Sequence, residues 1–259
     1  MDIDGYTRQL LERDEEYRKQ LLENRKMIRK RIVSLITGCG FRRRGRSVLY
    51  RFIGENIVFF HIDHPTTTFY IEYGVYPLYM PPMHKNFFYE AERLSSSMDD
   101  RAMDLADGTT QEELDVWCAK ADLFIRDRLM PFFQRISTVE GIACYLKETE
   151  QDLEKRGYAP PGSLSILRFR WPIEPLMYAE LAAHELDRAV RAAHAYLAKI
   201  EEYAARRPLG EEVRQSMEAQ AHQVLDLAAA MDPQAVDAVL NGWRKHNAAF
   251  VAGTTAAEE

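Results

Sequence analysis

From Tyr6 to Leu35, apolar residues return at helical spacing: Tyr6, Leu10, Tyr17, Leu21, Ile28, Ile32 and Leu35. One stripe of this kind, with charge on the other faces, predicts a single helix over residues 6–37. Gly38 and Gly40 end it, because glycine takes a left-handed cap cheaply. The period then drops to two. Ser47–Ile53 and Ile57–Asp63 are β-branched and aromatic, and the turn signal Gly54-Glu55-Asn56 between them predicts a hairpin. Phe69, Ile71, Tyr73 and Val75 alternate with Tyr70, Glu72, Gly74 and Tyr76 as a third strand. Asn86–Leu94 alternates more weakly and reads as a fourth.

After a loop with a short helical piece over 95–108, the helical period comes back. Thr109-Thr110 followed by Glu112 and Glu113 starts a helix that runs to about Leu129, where Pro131 kinks or restarts it. Ser137-Thr138-Val139-Glu140 reads as a capping box opening a further short helix. Gly157–Ser163, with three consecutive turn formers, is the expected linker. Trp171-Pro172 and Pro175 then open a long helix in which Leu176, Ala179, Ala183, Leu186, Val190, Ala193, Leu197 and Ile200 form a heptad-like seam. Val213, Met217, Ala221, Val224, Ala228 and Met231 supply a returning helix, and Asp232-Pro233 starts a last one. The expected architecture is α+β. A small antiparallel sheet of three to four strands packs with helices over residues 1–157, and a helical hairpin plus a final helix follow over 158–259.

Composition adds little to this: 46% apolar and 29% charged residues in 259 are ordinary for a globular chain. The distribution of charge adds more. Asn24–Gly54 holds ten Arg and Lys and no acid, inside a chain of net charge −6, so the remaining residues carry −16. The three cysteines, Cys39, Cys118 and Cys144, are odd in number and widely spaced, which argues for free thiols and against a disulfide or zinc framework. The acidic opening Met1-Asp2-Ile3-Asp4 lacks the form of a secretory leader. No run approaches the roughly 18 apolar residues of a membrane span. A cytoplasmic location is expected.

Gly40-Phe41-Arg42-Arg43-Arg44-Gly45-Arg46, followed by Leu49-Tyr50-Arg51, resembles the opening of a bacterial family, the domain-of-unknown-function 4304 family. Asp100–Leu105 and Leu129-Met130-Pro131-Phe132-Phe133 are similar to later parts of its pattern. The resemblance covers about residues 15–147 and departs at Asp100-Arg101-Ala102-Met103, where the pattern has tryptophans. It implies a small antiparallel sheet with helices and transfers no catalytic residue.

Four places could carry chemistry. Arg42, Arg43, Arg44 and Arg46, in a glycine-flanked loop, and Arg51 beyond it could bind phosphates or carboxylates bidentately. Arg25, Lys26, Arg29 and Lys30 lead into that loop, and Tyr50 and Phe52 lie near enough to stack on bases. The opposing expectation is that the cations dock on the acidic remainder or form a solvated face. His61-Ile62-Asp63-His64 puts an imidazole and a carboxylate on one strand face, a weak metal or acid–base candidate in which Glu72 or His84 would be a third ligand. Glu180, His184, Asp187, Arg191 and His194 share one helical face, where interhelical ion pairs are the ordinary use. The aromatics Tyr70, Tyr73, Tyr76, Tyr79, Phe87, Phe88 and Tyr89 read as a sheet core or a ligand groove.

Nucleotide loops, a serine elbow and an HExxH helix are all missing from the sequence. This favours a non-enzymatic binding or interaction protein of bacterial, immunity-like or accessory type, with another protein as partner and no cofactor. A second reading is a nucleic-acid-associated protein using Arg25–Arg51. A third is a metal-dependent enzyme around His61, Asp63 and His64. No membrane partner is expected, and the Leu176–Ile200 seam could close within the chain or between two copies.

Overall fold

The computed structural model describes residues 3–82, 92–98, 104–156, 171–207 and 209–253. The expected linker 157–163, the Asp100–Met103 departure and residues 86–91 of the expected fourth strand lie outside them. The first helix, α1 (Ile3–Gly38), is as long as its stripe implies. Among its described side chains, Ile28, Ile32 and Ile36 in the second half are buried.

Next come β1 (Arg42–Arg44), β2 (Val48–Ile53), β3 (Asn56–Asp63) and β4 (Thr68–Pro77), each antiparallel to the one before. Two short strands, β5 (Glu92–Arg93) and β6 (Leu105–Ala106), both pair with β4, and α2 (Leu94–Ser97) lies between them. The sheet therefore has six strands, not three to four, with β1 at one edge. β1 is the main correction here. The expected arginine loop is a strand, because Gly45 at φ 59° turns the chain so that Arg42–Arg44 lie opposite Val48–Tyr50.

The tip of the β2–β3 hairpin is docked. Gly54 has φ 57°, the Glu55 N–H donates to the Ser137 carbonyl at 2.8 Å, and the Asn56 amide donates to the Ile136 carbonyl at 2.6 Å. Within the sheet, the Phe59 ring lies directly over Gly74, at the position where any Cβ would stand.

The middle helices run α3 (Gln111–Phe124), a π-turn (Ile125–Leu129) and α4 (Met130–Arg135) without interruption. α3 starts where expected, and Thr110 and Glu113 form a capping box there. Pro131 falls in the first turn of α4, and the backbone widens to the π form just ahead of it, which relieves the clash of its ring with the preceding turn. The next helix, α5 (Val139–Arg156), has 18 residues and is not short. Its first turn is capped by Thr138, whose Oγ1 accepts from the Gly141 N–H at 3.1 Å, not by Ser137.

The long seam helix is two helices, α6 (Ile173–Ala182) and α7 (Leu186–Arg206). α6 ends in a Schellman turn. The Glu185 N–H donates to the Glu180 carbonyl and the His184 N–H to the Leu181 carbonyl, with His184 left-handed at φ 56°. That position is usually glycine, so the sequence carries no stop signal. Leu176 and Ala179 of α6 and Ala193 and Ile200 of α7 are buried within this one chain, and Ala183, Leu186, Val190 and Leu197 are half-buried.

α8 (Glu211–Ala229) and α9 (Pro233–Ala252) complete the chain. Ala221, Val224 and Ala228 of α8 are buried as expected, but Val213 and Met231 at the ends of the returning stripe are exposed. Asp232 caps α9, accepting from the backbone N–H of Gln234 and Ala235.

α9 reaches back to the sheet. Asn247 is fully buried and donates to the carbonyls of Leu78 and Met80, and Arg244 Nε meets Glu55 Oε2 at 2.7 Å. By strand alternation, Arg44 and Arg51 lie on opposite faces. Arg44 stands over the Phe250 ring of α9, and Arg51 donates to the Cys39 carbonyl just past α1. The sheet is thus held between the first helix and the last. Among the described residues, no helix is long and apolar enough to cross a membrane.

Candidate anion-binding edge

Nine of the ten cations of Asn24–Gly54 are divided by the fold into two groups, and the tenth, Lys30, is exposed on α1. Some are drawn onto acids or carbonyls. Arg25 makes a two-pronged contact with Asp107, Nε to Oδ1 at 3.0 Å and Nη2 to Oδ2 at 2.5 Å. Arg31 pairs with Asp115 at 2.8 Å and Lys26 with Glu23 at 2.7 Å. Arg44 and Arg51 point inward, onto Phe250 (4.4 Å to the ring centre) and the Cys39 carbonyl (2.9 Å). Burial, the largest influence on Arg44, lowers its pKa.

The others stay at the surface. Arg42, Arg43 and Arg46 are exposed around the β1 turn. Arg29 of α1 joins them by donating to the Arg46 carbonyl, and Arg43 Nε donates to the Gly45 carbonyl at 2.9 Å. Partial burial first, and then the like charges of Arg43 and Arg46, lower the pKa of Arg29. Among the described residues, none of Arg29, Arg42, Arg43 and Arg46 forms an ion pair with a carboxylate. Three of the five arginines singled out by sequence therefore make a cationic edge, Arg44 and Arg51 do not, and Arg29 completes it. The general count of basic residues flagged Arg29, but only the approach of α1 to the β1 turn assigns it here. Phe52 is 40% exposed and packs edge-on against Tyr50 at 5.6 Å, one strand in from β1.

The histidine candidates separate. His61 Nδ1 lies 3.2 Å from Glu72 Oε2, the partner the register gives it. His64 Nε2 instead lies 2.8 Å from Asp107 Oδ1 and its ring packs on Phe69, while Asp63 accepts from the His64 backbone N–H. His61 and Asp63 share a strand face, but His64 follows the end of β3 and turns to Asp107, so the three side chains do not converge. Among the described residues, no group of three or more His, Cys, Asp and Glu is positioned to hold a metal. His84 lies outside the described residues.

Asp107 was not signalled by any motif. Its side chain is 4% exposed and ties α1, the end of β3 and the β6 turn together through Arg25 and His64. Burial is the largest single influence and works against its charge, but the hydrogen bonds and the charges of Arg25 and His64 together outweigh it and hold the carboxyl below its ordinary value.

The helical stripe from Glu180 to His194 is divided by the turn at His184. Glu180 is buried against Lys147, His184 pairs with Asp237 at 3.2 Å, and Asp187, Arg191 and His194 are exposed. Tyr73, Tyr76 and Tyr79 are core, whereas Tyr70 lies under Arg93 at 4.0 Å. Phe87, Phe88 and Tyr89 lie outside the described residues.

Fold and surface together define a mixed α+β protein whose sheet is helix-covered on both faces and cationic along one edge. No protein-family model matches the chain, and no curated protein and no solved structure matches it.

Proposed function

We propose that the protein is a non-enzymatic binding protein that receives an acidic segment of another protein along β1. The observation that carries this reading is the coincidence of a sheet edge with exposed arginines that have no carboxylate partner. An edge strand offers unpaired backbone N–H and C=O groups to an incoming extended segment. Arg42, Arg43, Arg46 and Arg29 add charge that repels other basic edges and attracts acidic ones. Arginine on an edge also serves to prevent sheet-to-sheet aggregation, and a short strand such as β1 suits that use as well. The two uses differ in whether an acidic segment binds. Net charge −6 and a low isoelectric point favour a protein partner over nucleic acid. The resemblance of residues 15–147 to the domain-of-unknown-function 4304 family adds a bacterial, accessory-type setting to this proposal.

The test is fluorescence anisotropy of a labelled alternating Glu-Val peptide and of single-stranded DNA and RNA of similar length, at low and at physiological salt. The expected result is peptide binding that weakens with salt and falls at least about tenfold, ~1.4 kcal/mol, in the R42Q/R43Q/R46Q variant. A flat peptide titration overturns the reading. Nucleic-acid binding with a steep salt slope, lost in the same variant, would establish the second reading instead.

A further inference from the structure

Residues 14–20 of α1 form an arm. All seven are exposed, and from Asp14 onward the first fully buried apolar residue is Ile28. At 1.5 Å per residue the helix preceding Asn24 is about 30 Å long. A single helix of that length is marginal in water without tertiary support. Its apolar stripe is 60% exposed at Tyr17 and half-buried at Leu21. The sequence continues the same spacing toward the N-terminus at Leu10 and Tyr6. A groove of about 660 Å³ runs between Tyr17, Leu21, Asn24 and Met27 on this side of α1 and Asp107–Thr110 on the body.

The charge along α1 says what fits there. The N-terminal side carries Asp14-Glu15-Glu16 and the C-terminal side Lys26, Arg29 and Lys30. Among the described residues Glu15, Glu16 and Lys30 make no ion pair, and Arg18 and Lys26 pair only with exposed neighbours on the same helix, Asp14 and Glu23. A helix that is acidic at one end, basic at the other and apolar along one stripe is complementary to itself when reversed. A parallel pairing would put acid on acid and base on base. We infer that the α1 arms of two copies pair antiparallel about a two-fold axis, each placing its Tyr17–Leu21 stripe in the other's groove. A two-fold axis makes such a contact closed and self-limiting. Apolar residues along the seam supply the attraction, and the flanking charges set the direction.

The full chain is tested by multi-angle light scattering and sedimentation velocity across the micromolar range. The expected mass is twice the 30.0 kDa of one chain. Y17Q/L21E is expected to sediment as a monomer with a cooperative melt, whereas L123Q, which removes a leucine elsewhere that is as exposed as Tyr17, stays dimeric. A variant with Asp14, Glu15 and Glu16 all changed to Lys touches no buried group, and it is expected to lose self-association. Mixed with a K26E/K30E variant, which leaves Arg29 and the β1 edge intact, it recovers a dimer. A monomeric wild type, a dimer that survives Y17Q/L21E, an assembly larger than two, or failure of the charge-swapped pair to associate would each overturn the antiparallel pairing. Its failure leaves the β1-edge proposal untouched, because the peptide titration reads a different surface.

Discussion

Replacing Asp107 with Asn tests whether the α1–β3–β6 junction is held by charge. The substitution keeps shape and removes the negative charge from a side chain that is 4% exposed. Two partners lose a charged acceptor: His64, itself 8% exposed at 2.8 Å, and Arg25, whose side chain is 38% exposed. A hydrogen bond to a charged group contributes roughly 1.5–3 kcal/mol. The Arg25 contact is discounted because solvent screens its outer half. The His64 contact is not, and Asn retains a weaker neutral bond. The sum is a loss of about 2–3 kcal/mol, or about 5–10 °C in Tm for a chain of this size.

The effect has a defined pH dependence. The folded Asp107 carboxyl sits below its ordinary value, so its contribution is fully present above the unfolded aspartate pKa near ~4 and is lost as pH falls through the lower folded value. Urea denaturation at neutral pH and at a series of acid pH values would show a gap between wild type and D107N that closes in acid, with unchanged slope on urea concentration. A neutral-pH difference under ~0.5 kcal/mol, or a gap that persists in acid, would refute the assignment of a buried, charge-based tie.

Other predictions follow from single close contacts. Gly54→Ala puts a Cβ 2.0 Å from the Ser137 carbonyl oxygen at a residue with φ 57°, so a loss of about 3 kcal/mol or more is expected in thermal or urea unfolding. Gly74→Ala places a Cβ 2.4 Å from Phe59 Cζ and should cost about 2–3 kcal/mol by the same measurement, with Phe59→Leu in the same chain recovering part of it. Asn247→Leu leaves the Leu78 and Met80 carbonyls without their amide donor; hydrogen exchange should then quicken in α9 before the central strands, at a cost of about 2–4 kcal/mol. Thiol titration should find Cys144 reacting first, since it is exposed, while burial leads the influences that push the Cys39 and Cys118 thiols up and keep them protonated.

The sequence by itself determined the elements whose signal is local. The α1 stripe, the Gly54 hairpin, the Thr109-Thr110 helix start and the Asp232-Pro233 helix start are set by spacing and by short-range hydrogen bonds, and each is found where the sequence puts it. The same local logic failed where a long-range partner sets the outcome. Arg42–Arg44 have little intrinsic tendency to form a strand and become one because Val48–Tyr50 stand opposite. The seam helix breaks because a Schellman turn at His184 lets α6 and α7 fold onto each other, and packing there outweighs the cost of a left-handed histidine. The sequence also located the basic stretch, but not which of its cations remain free. That depends on Asp107, Asp115 and Phe250, which lie 82, 84 and 206 positions beyond Arg25, Arg31 and Arg44, the arginines they meet, and come near only in the folded chain. Periodicity is a property of neighbours along the chain. Whether an arginine meets a carboxylate, an aromatic ring or solvent is decided by residues that only tertiary packing brings together.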